Sequence, residues 1–287
     1  MVIMVHFVDT TSNAPTVSHV ISGDAKVTGV TSLGDDVFVV RFDHSQQVEV
    51  YDAMTFTLQR RLSVPGLDRL SSLGLAACAS NKCLYASDFL NDLVHRVELS
   101  GSNAVTKWSV GRGPTGLTVN SAKNVLVVIE NERRLQEFTT HGTLLQTIQL
   151  QPDIGSAVQV VELSSGQLMI SHRGKRPGVC LLDVKGAVVR SYGATPGSAL
   201  TEIYWPSGLA VDKNENILVA NTFNDRLLVL DRSLTSAREM SVAVDGGLNG
   251  PVSLWYDKSR GRLYVGEFEG VRVIIIDHLK DFTASQV

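Results

Sequence analysis

The stretch PSGLAVDKNENILVANTFNDRLLVLD at residues 206–231 contains one complete unit of a repeat. It has a short apolar run, a polar turn, a second apolar run that ends in a polar residue, a short loop and a third apolar run. The same order returns at residues 251–277 in PVSLWYDKSRGRLYVGEFEGVRVIIID. A repeat of about 40 to 50 residues built from short strands is typical of a β-propeller, in which each copy forms one blade. Weaker copies occupy residues 27–52, 73–99, 114–138 and 157–183.

The residues that close the second apolar run reveal the period of the repeat. Successive closing residues are 46, 42, 43, 49 and 46 positions apart, and they are Arg41, Ser87, Ile129, His172, Asn221 and Glu267. A single blade cannot bury its faces without neighbours, so the repeat predicts one propeller domain over residues 1–287. The predicted blades cover approximately residues 25–68, 69–113, 114–153, 154–205, 206–250 and 251–280.

The apolar runs within each copy have the composition of β-strands. They are rich in Val, Ile and Leu and are bounded by Gly, Asn, Asp and Lys. Ile217–Ala220 and Val273–Ile276 are continuously apolar, as expected for strands buried on both faces between neighbouring blades. The sequence therefore predicts an all-β protein, a six-bladed β-propeller with four-stranded antiparallel blades.

The last copy ends soon after Asp277, so the sixth blade lacks its outer strand. Strand-like sequence is available at the start of the chain, in Met1–Val8 and in Thr16–Ile21. We expect one of these, with Thr16–Ile21 favoured, to complete the final blade, because closure removes an edge that invites aggregation.

Composition limits the classes of partner and the cellular setting. The net charge is −3, and the absence of an overall basic excess disfavours a DNA-binding protein. Val2–Val8 is too short to span a membrane and lacks the features of a secretory signal, so no membrane partner is expected. Cys78, Cys83 and Cys180 are interpreted as buried free thiols, with a Cys78–Cys83 disulfide as the alternative. These features favour a reducing, cytoplasmic setting.

A family resemblance rests on the pattern Pro-x-Gly-apolar-Ala-Val-Asp, followed by Val-Ala-polar and then Asn-x-Arg. Residues Pro206, Gly208, Asp212, Asn221, Asn224 and Arg226 carry it here. This pattern resembles the NHL repeat, and the resemblance covers about residues 25–280. The copy at 157–183 departs from it, because HRGKRPG stands where the family has Asp-x-x-Asn-x-Arg.

The resemblance implies the fold but leaves activity open, because the family contains both binding modules and enzymes. In animals such domains often form the carboxyl end of tripartite-motif ubiquitin ligases, where they bind protein or RNA. The phrase RLYVGEFEG at 262–270 is similar to those animal copies, while no RING, B-box or coiled coil is found in this chain. The resemblance thus implies the substrate-recognition part of a ubiquitin-ligase-type protein.

Propellers commonly bind their partners on the face that carries the loops between second and third strands. The residues of this face that we select as binding candidates are polar or aromatic. They are Arg41, Phe42, His44, Asp88, Phe89, Arg112, Glu130, His172, Arg173, Lys175, Arg176, Tyr204, Asn221, Phe223, Glu267 and Phe268.

The candidates divide by charge and suggest two kinds of partner. The fourth copy is basic through Arg173, Lys175 and Arg176, whereas Asp88 and Glu267 make the second and sixth acidic. A face with both signs suits a protein or peptide partner, with the recurring Phe side chains as anchors. Stacking of unpaired bases on these rings would support single-stranded RNA binding, which the carboxylates disfavour.

An enzyme is the third hypothesis. Related six-bladed lactonases and hydrolases hold calcium at the channel mouth, and Asp88, Glu130, Asn221 and Glu267 offer hard oxygen ligands for such an ion. However, Arg41 and His172 would place positive charge in the same ring, and two histidines, His44 and His172, make a weak zinc site. The sequence therefore predicts a recognition domain without a cofactor rather than a metal-dependent hydrolase or lyase.

Overall fold

The structure is a computed structural model that describes residues 15–42, 46–67, 74–193 and 202–277. Over these residues the chain forms 24 β-strands and two short 3-10 helices, Glu130–Glu132 and Thr222–Asn224. The strands make six antiparallel sheets of four strands each. The fold class predicted from the repeat is confirmed.

In the first three blades the strands follow each other in chain order from the innermost to the outermost. Blade 1 contains β2 (Val27–Leu33), β3 (Asp36–Arg41), β4 (Gln47–Asp52) and β5 (Leu58–Ser63). Blade 2 contains β6 (Leu75–Cys78), β7 (Cys83–Asp88), β8 (Leu93–Glu98) and β9 (Val105–Ser109). Blade 3 contains β10 (Pro114–Val119), β11 (Val125–Ile129), β12 (Arg134–Phe138) and β13 (Leu144–Gln149).

Blades 4 and 5 repeat this order, whereas blade 6 takes its outer strand from the start of the chain. Blade 4 contains β14 (Ala157–Glu162), β15 (Leu168–His172), β16 (Gly178–Leu182) and β17 (Val188–Gly193). Blade 5 contains β18 (Pro206–Val211), β19 (Ile217–Asn221), β20 (Arg226–Leu230) and β21 (Ala237–Met240). Blade 6 contains β22 (Pro251–Asp257), β23 (Arg262–Glu267), β24 (Arg272–Asp277) and β1 (Thr16–Ser22).

The ring is closed by antiparallel pairing of β1 with β24. Thr16 lies opposite Asp277 and Ser22 lies opposite Arg272, so the pairing extends along the whole of β24. This confirms the prediction that the strand near residues 16–21 completes the last blade. The other strand-like segment, Met1–Val8, lies outside the described residues.

The hydrophobic core lies between the blades. Each of six clusters of buried side chains joins two neighbouring blades, and together the clusters run around the ring. In one of them Phe38 and Val50 of blade 1 pack with Leu84 and Val97 of blade 2. Strands that pack against a blade on either side are buried on both faces, which explains their continuously apolar sequences.

The glycine of the Pro-x-Gly motif permits close approach of neighbouring inner strands. A Cβ atom on Gly208 would lie 2.8 Å from the backbone nitrogen of Leu254 and from the carbonyl oxygen of Val252 in blade 6. At Gly116 it would lie 2.4 Å from the carbonyl oxygen of Val158 in blade 4. A side chain at either position would push two blades apart, so the motif sets the tight packing around the central channel.

The three cysteines are buried and form no disulfide, which confirms their interpretation as free thiols. Burial raises the pKa of Cys180 to about 12, so its thiol is protonated and unreactive at neutral pH. In the described part of the chain, no helix combines the length and the apolar character that crossing a membrane demands.

Candidate functional site

The candidate site is the loop face, which we define as the six loops between second and third strands together with the connections that enter each inner strand. These loops cover residues 42–46, 89–92, 130–133, 173–177, 222–225 and 268–271. Of the first loop the structure describes Phe42 and Gln46, and His44 lies outside the described residues.

The polar residues that close the second strands mainly anchor the chain entering their own blade. Ser87 accepts a hydrogen bond from the backbone N–H of Gly74 at 3.0 Å. Asn221 accepts one from Tyr204 at 2.8 Å, and Glu267 accepts one from Asn249 at 2.7 Å. The backbone N–H groups of these irregular connections are therefore paired by side chains, as buried donors require.

Two blades achieve the same anchoring with different chemistry. The closing residue of blade 3 is Ile129, which cannot accept a hydrogen bond, and Gln136 of β12 accepts the one from Gly111 at 2.8 Å instead. In blade 1, Arg41 donates to the carbonyl oxygen of Ala25 at 2.8 Å. In both blades a side chain of the blade itself therefore holds the connection that enters it.

Arg41 is buried, with 2% of its surface exposed, and its guanidinium does not reach the solvent-facing rim. Its Nε donates to Glu49 at 2.8 Å, and Glu49 also accepts a hydrogen bond from Tyr51 at 2.9 Å. Burial alone would raise the pKa of Glu49, but the hydrogen bonds from Arg41 and Tyr51 outweigh it and hold that pKa below its ordinary value.

Asp88 is fully buried at the end of β7 and makes contacts within its own blade. It accepts hydrogen bonds from Asn91 at 3.0 Å and lies 3.1 Å from Nε2 of His95. Burial would raise the pKa of Asp88, but the hydrogen bonds from His95 and Asn91 lower it overall. Asp88 therefore orders the loop of blade 2 and contributes no exposed charge to the face.

His172 is also buried, and its Nε2 lies 3.2 Å from Sγ of Cys180. Burial lowers the pKa of His172, so this imidazole is neutral at physiological pH and adds no positive charge to the rim.

An aromatic patch, formed by Tyr204, Trp205 and Phe223, lies on the loop face between blades 4 and 5. The three side chains are 44%, 39% and 53% exposed, respectively. The rings of Trp205 and Phe223 stack at 4.9 Å, and Tyr204 meets Phe223 edge-on at 5.2 Å. Trp205 has a left-handed backbone with φ of 61°, an uncommon conformation for a large side chain.

Arg173 lies between this patch and the central channel. Its guanidinium carbon is 4.5 Å from the centre of the Trp205 ring, and its Nη2 donates to Oγ of Ser207 at 2.7 Å. Burial lowers the pKa of Arg173 to about 10, which leaves it charged at neutral pH. Lys175 and Arg176 follow in the same loop and are exposed; we call residues 173–176 the basic loop.

The remaining aromatic candidates are more enclosed than Phe223. Phe42 and Phe268 are half-buried and pack edge-to-face at 5.9 Å, with Nζ of Lys26 at 4.3 Å from the centre of the Phe268 ring. Phe89 is half-buried, and its ring lies close to Gly113. Of the four recurring phenylalanines, Phe223 is thus the most exposed.

The exposed charge of the face is more basic than the sequence suggested. Glu267 is fully buried, like Asp88, and is paired with Arg272 at 2.5 Å. Asp225 accepts a hydrogen bond from the backbone of Gly250 at 2.6 Å, and Glu269 is paired with Lys26 at 3.0 Å. Within the described residues Lys175, Arg176 and the exposed Arg112 form no ion pair.

Of the four residues considered as calcium ligands, three already accept hydrogen bonds or form ion pairs. Asp88, Asn221 and Glu267 are each bonded to groups of their own blades, and Glu130 begins the 3-10 helix of blade 3. Among the described residues no group of three or more His, Cys, Asp or Glu side chains is arranged to hold a metal ion.

Sequence reasoning missed that Trp205 belongs to the same cluster as Phe223. The signal was the aromatic pair Tyr204–Trp205 immediately before Pro206, where the chain enters blade 5. The contact itself was not predictable, because the loop that carries Phe223 and the connection that carries Trp205 meet only in the folded blade.

No family model matches this sequence, and no curated protein sequence is significantly similar to it. Several solved structures are similar. A protein of unknown function from Bacteroides thetaiotaomicron is 14% identical, with a TM-score of 0.71 over 92% of this chain and 72% of that chain. A streptogramin B lyase is 12% identical, with a TM-score of 0.67 over 90% of this chain and 96% of that chain.

Hydrazine synthase of Kuenenia stuttgartiensis is 14% identical, with a TM-score of 0.65 over 90% of this chain and 97% of that chain. These proteins differ in activity and have low sequence identity to this chain, so the similarity shows a shared architecture and no shared function. Together with the strand order and the closing strand, these similarities establish a six-bladed β-propeller fold.

Proposed function

We propose that this propeller is a non-catalytic recognition domain that binds an acidic segment of another protein, with an apolar anchor residue, on the loop face between blades 4 and 5. The observation that carries the proposal is the exposed aromatic patch beside the exposed Lys175 and Arg176, which form no ion pair with any residue that the structure describes.

The aromatic patch has the character of an interface centre. Large aromatic side chains dominate the energetics of protein–protein contacts, particularly when they are already ordered before binding. The stacking of Trp205 on Phe223 and the edge contact of Tyr204 hold all three rings in fixed positions. A partner that covers them buries apolar surface with little additional loss of side-chain freedom.

The basic loop gives this surface its preference for acidic partners. Lys175 and Arg176 are exposed and lie in the same loop as Arg173, which contacts Trp205. Charges at the edge of an interface steer association and set the register of the partner more than they raise affinity. A partner segment that carries acidic residues next to an aromatic or aliphatic anchor therefore matches both the basic loop and the aromatic patch.

Single-stranded RNA, the second candidate, is less well supported by the geometry. Base stacking needs an open ring face. Phe223 and the Arg173 guanidinium already pack against the Trp205 ring at 4.9 Å and 4.5 Å. These contacts occupy ring surface that a base would otherwise stack on, so the patch suits an apolar side chain better than successive bases.

The resemblance to NHL repeats supports the same proposal, because it implies a domain that recognises protein or RNA, including the substrate-recognition part of ubiquitin-ligase-type proteins. The third candidate, a metal-dependent hydrolase or lyase, has weaker support. Asp88, Asn221 and Glu267 already accept hydrogen bonds inside their blades and would have to give these up to bind calcium.

The test is selection of binding peptides from a displayed library of random peptides, followed by calorimetric titration of the selected sequences. We expect enrichment of peptides with an aromatic or aliphatic residue flanked by Asp or Glu. Phe223→Ser should weaken their binding by about tenfold, the loss expected for an interface anchor.

The matched control is Leu90→Ser, which removes an apolar side chain, 49% exposed, from the loop of blade 2. This variant should bind the selected peptides as well as the unaltered protein does. Equal losses in the two variants, or selected peptides without acidic residues, contradict the proposal. Tighter, salt-dependent binding of poly(U) RNA would favour the second candidate, and thermal stabilisation by added calcium would favour the third.

A further inference from the structure

The inner strands of the six blades enclose a cavity of about 450 Å³ along the central channel. This volume falls within the range of about 300 to 1,000 Å³ that is usual for small-molecule sites. The wall combines apolar side chains, among them Val119, Val161 and Val252, with polar ones such as Gln159 and Ser253.

The channel has an identifiable direction. Pro206 pairs with Asn221 at the loop-face end of blade 5, and Val211 pairs with Ile217 at the opposite end. Arg173 contacts Pro206 and Ser207, so its guanidinium lies at the loop-face end of the channel. Asp257 and Lys258, which also line the cavity, lie at the turn on the opposite side.

Arg173 is a half-buried cation whose hydrogen bonds go to uncharged groups. Its two hydrogen bonds go to the carbonyl oxygen of Pro206, at 3.4 Å, and to Oγ of Ser207, at 2.7 Å, and both acceptors are uncharged. Among the described residues no carboxylate forms an ion pair with it, and Glu130 attracts it only from a longer distance. Removing a charge from water without an opposite charge is unfavourable, so this site gains from binding an anion.

The acidic groups that line the channel are already engaged and lie away from Arg173. Asp257 is paired with Arg260 at 3.1 Å, and Glu162 accepts a hydrogen bond from the backbone of Ser121 at 2.6 Å. Both lie near the opposite mouth. Lys258, at the opposite mouth, is exposed and its charge is screened by water, so we expect a ligand with one anionic end to place that end at the half-buried Arg173 and its apolar body in the channel.

We propose that the central channel binds a small amphipathic carboxylate, whose carboxylate group pairs with Arg173 and whose apolar body lies against the valine-rich wall. This site adjoins the docking surface at Arg173, which also contacts Trp205, but the rest of its wall lies inside the channel and the proposal does not depend on peptide binding. Arginine suits the role because its planar guanidinium can stack on Trp205 and still present N–H donors at its edge. Nη1 donates to no other described residue and is available for the ligand.

The experiment titrates the full chain with sodium decanoate by isothermal titration calorimetry, below the concentration at which decanoate forms micelles. Two comparison ligands keep the apolar body and change the head group: 1-decanol, which is neutral, and decylammonium, which is positive. We expect saturable binding of decanoate and affinities weaker by about tenfold or more for both comparison ligands, because a charge-assisted hydrogen bond is lost.

Three variants locate the site. Arg173→Met should weaken decanoate binding by about tenfold, whereas Arg176→Met, in the same loop but outside the channel wall, should leave it unchanged. Thr118→Phe places a larger side chain on a half-buried position of the wall and should reduce binding by obstructing the channel. This last variant does not touch the loop face and should retain binding of the selected peptides, so the two sites fail independently.

The proposal is overturned if decanoate shows no saturable binding, or if 1-decanol binds as tightly as decanoate. It is also overturned if Arg176→Met loses as much affinity as Arg173→Met. Should Arg173→Met not fold, the head-group comparison and Thr118→Phe decide the question by themselves.

Discussion

Arg41 and Glu49 form an ion pair of 2.8 Å inside blade 1, with 1% and 4% of their side chains exposed. The Arg41 guanidinium also donates to the carbonyl oxygens of Ala25 and of Val271, the latter in the loop of blade 6. One side chain therefore connects blade 1, the connection that enters it and the neighbouring blade at the point where the ring closes.

Replacing Arg41 is expected to destabilise the fold. Arg41→Met leaves a buried carboxylate with fewer partners and should lower the free energy of unfolding by about 3 kcal/mol, the loss typical of breaking a buried pair. Urea unfolding followed by circular dichroism measures this. Arg60→Met is the control, because the Arg60–Asp36 pair is largely exposed and should be worth less than about 1 kcal/mol. Similar losses of unfolding free energy in both variants contradict the conclusion that the buried Arg41–Glu49 pair stabilises the fold more than the exposed Arg60–Asp36 pair.

The same pair predicts a pH dependence of stability. The pKa of Glu49 lies below its ordinary value of 4.5 in the folded protein, so the unfolded chain binds a proton more readily. The stabilisation is complete above the unfolded pKa and is lost as the pH falls through the folded pKa. Glu49→Gln should therefore be less stable than the unaltered protein at about pH 7, and this difference should shrink towards about pH 3.

Urea unfolding at a series of pH values provides the measurement. The control is Glu98→Gln, which changes a carboxylate with a side chain 41% exposed, in its pair with Arg96. A difference between Glu49→Gln and the unaltered protein that stays constant or grows in acid shows that the prediction is wrong.

Ring closure by β1 predicts the behaviour of a shortened chain. Removal of residues 1–22 would leave β24 as an exposed edge, uncover the apolar surface that buries Ile21, and promote association between copies. We expect a lower Tm and oligomers in size-exclusion chromatography with light scattering. Removal of residues 1–14, which leaves β1 intact, is the control and should give a monomer-to-oligomer ratio like that of the full chain. If the chain without residues 1–22 has the same Tm and the same oligomer content as this control, closure of the ring by β1 is contradicted.

The close approach at Gly208 predicts a steric effect. Gly208→Ala would place a methyl group 2.8 Å from backbone atoms of blade 6 and should lower the free energy of unfolding by about 3 kcal/mol, as overpacking does. Gly34→Ala separates this from a purely conformational effect, since Gly34 has open space around it and a φ of 58°. Its loss should be about 1 kcal/mol. Thermal or urea unfolding of both variants measures these losses. A larger loss of stability in Gly34→Ala than in Gly208→Ala contradicts the packing argument.

The repeat made most of the architecture predictable. The spacing of the closing residues indicated six blades, and the missing outer strand of the last copy indicated closure by Thr16–Ile21. Both are consequences of local strand patterns and of the requirement that every edge be paired. Hydrophobic periodicity records such requirements directly, which is why the fold could be read from one sequence.

The candidate site was less predictable, because a polar residue at a loop looks the same in sequence whether it faces solvent or the backbone. Arg41, Asp88, His172 and Glu267 were selected as rim residues, and the structure buries all four. Their partners, such as Glu49 for Arg41 and His95 for Asp88, lie on the next strand of the same blade. Arg173, Tyr204 and Phe223 do meet at one place, through contacts between blades that no local pattern encodes.

The anchoring of the inter-blade connections has a consequence for how this protein can change. Gly74, Tyr204 and Asn249 are each held by a side chain of the blade they enter, and Gly111 is held by a different residue for the same purpose. These four connections are thus fastened within the blades they enter, so we expect that the tip of a neighbouring loop can be exchanged or lengthened without loosening them. Grafting a foreign recognition sequence into the tip at 174–176 would then alter ligand preference while the other five sectors keep their geometry.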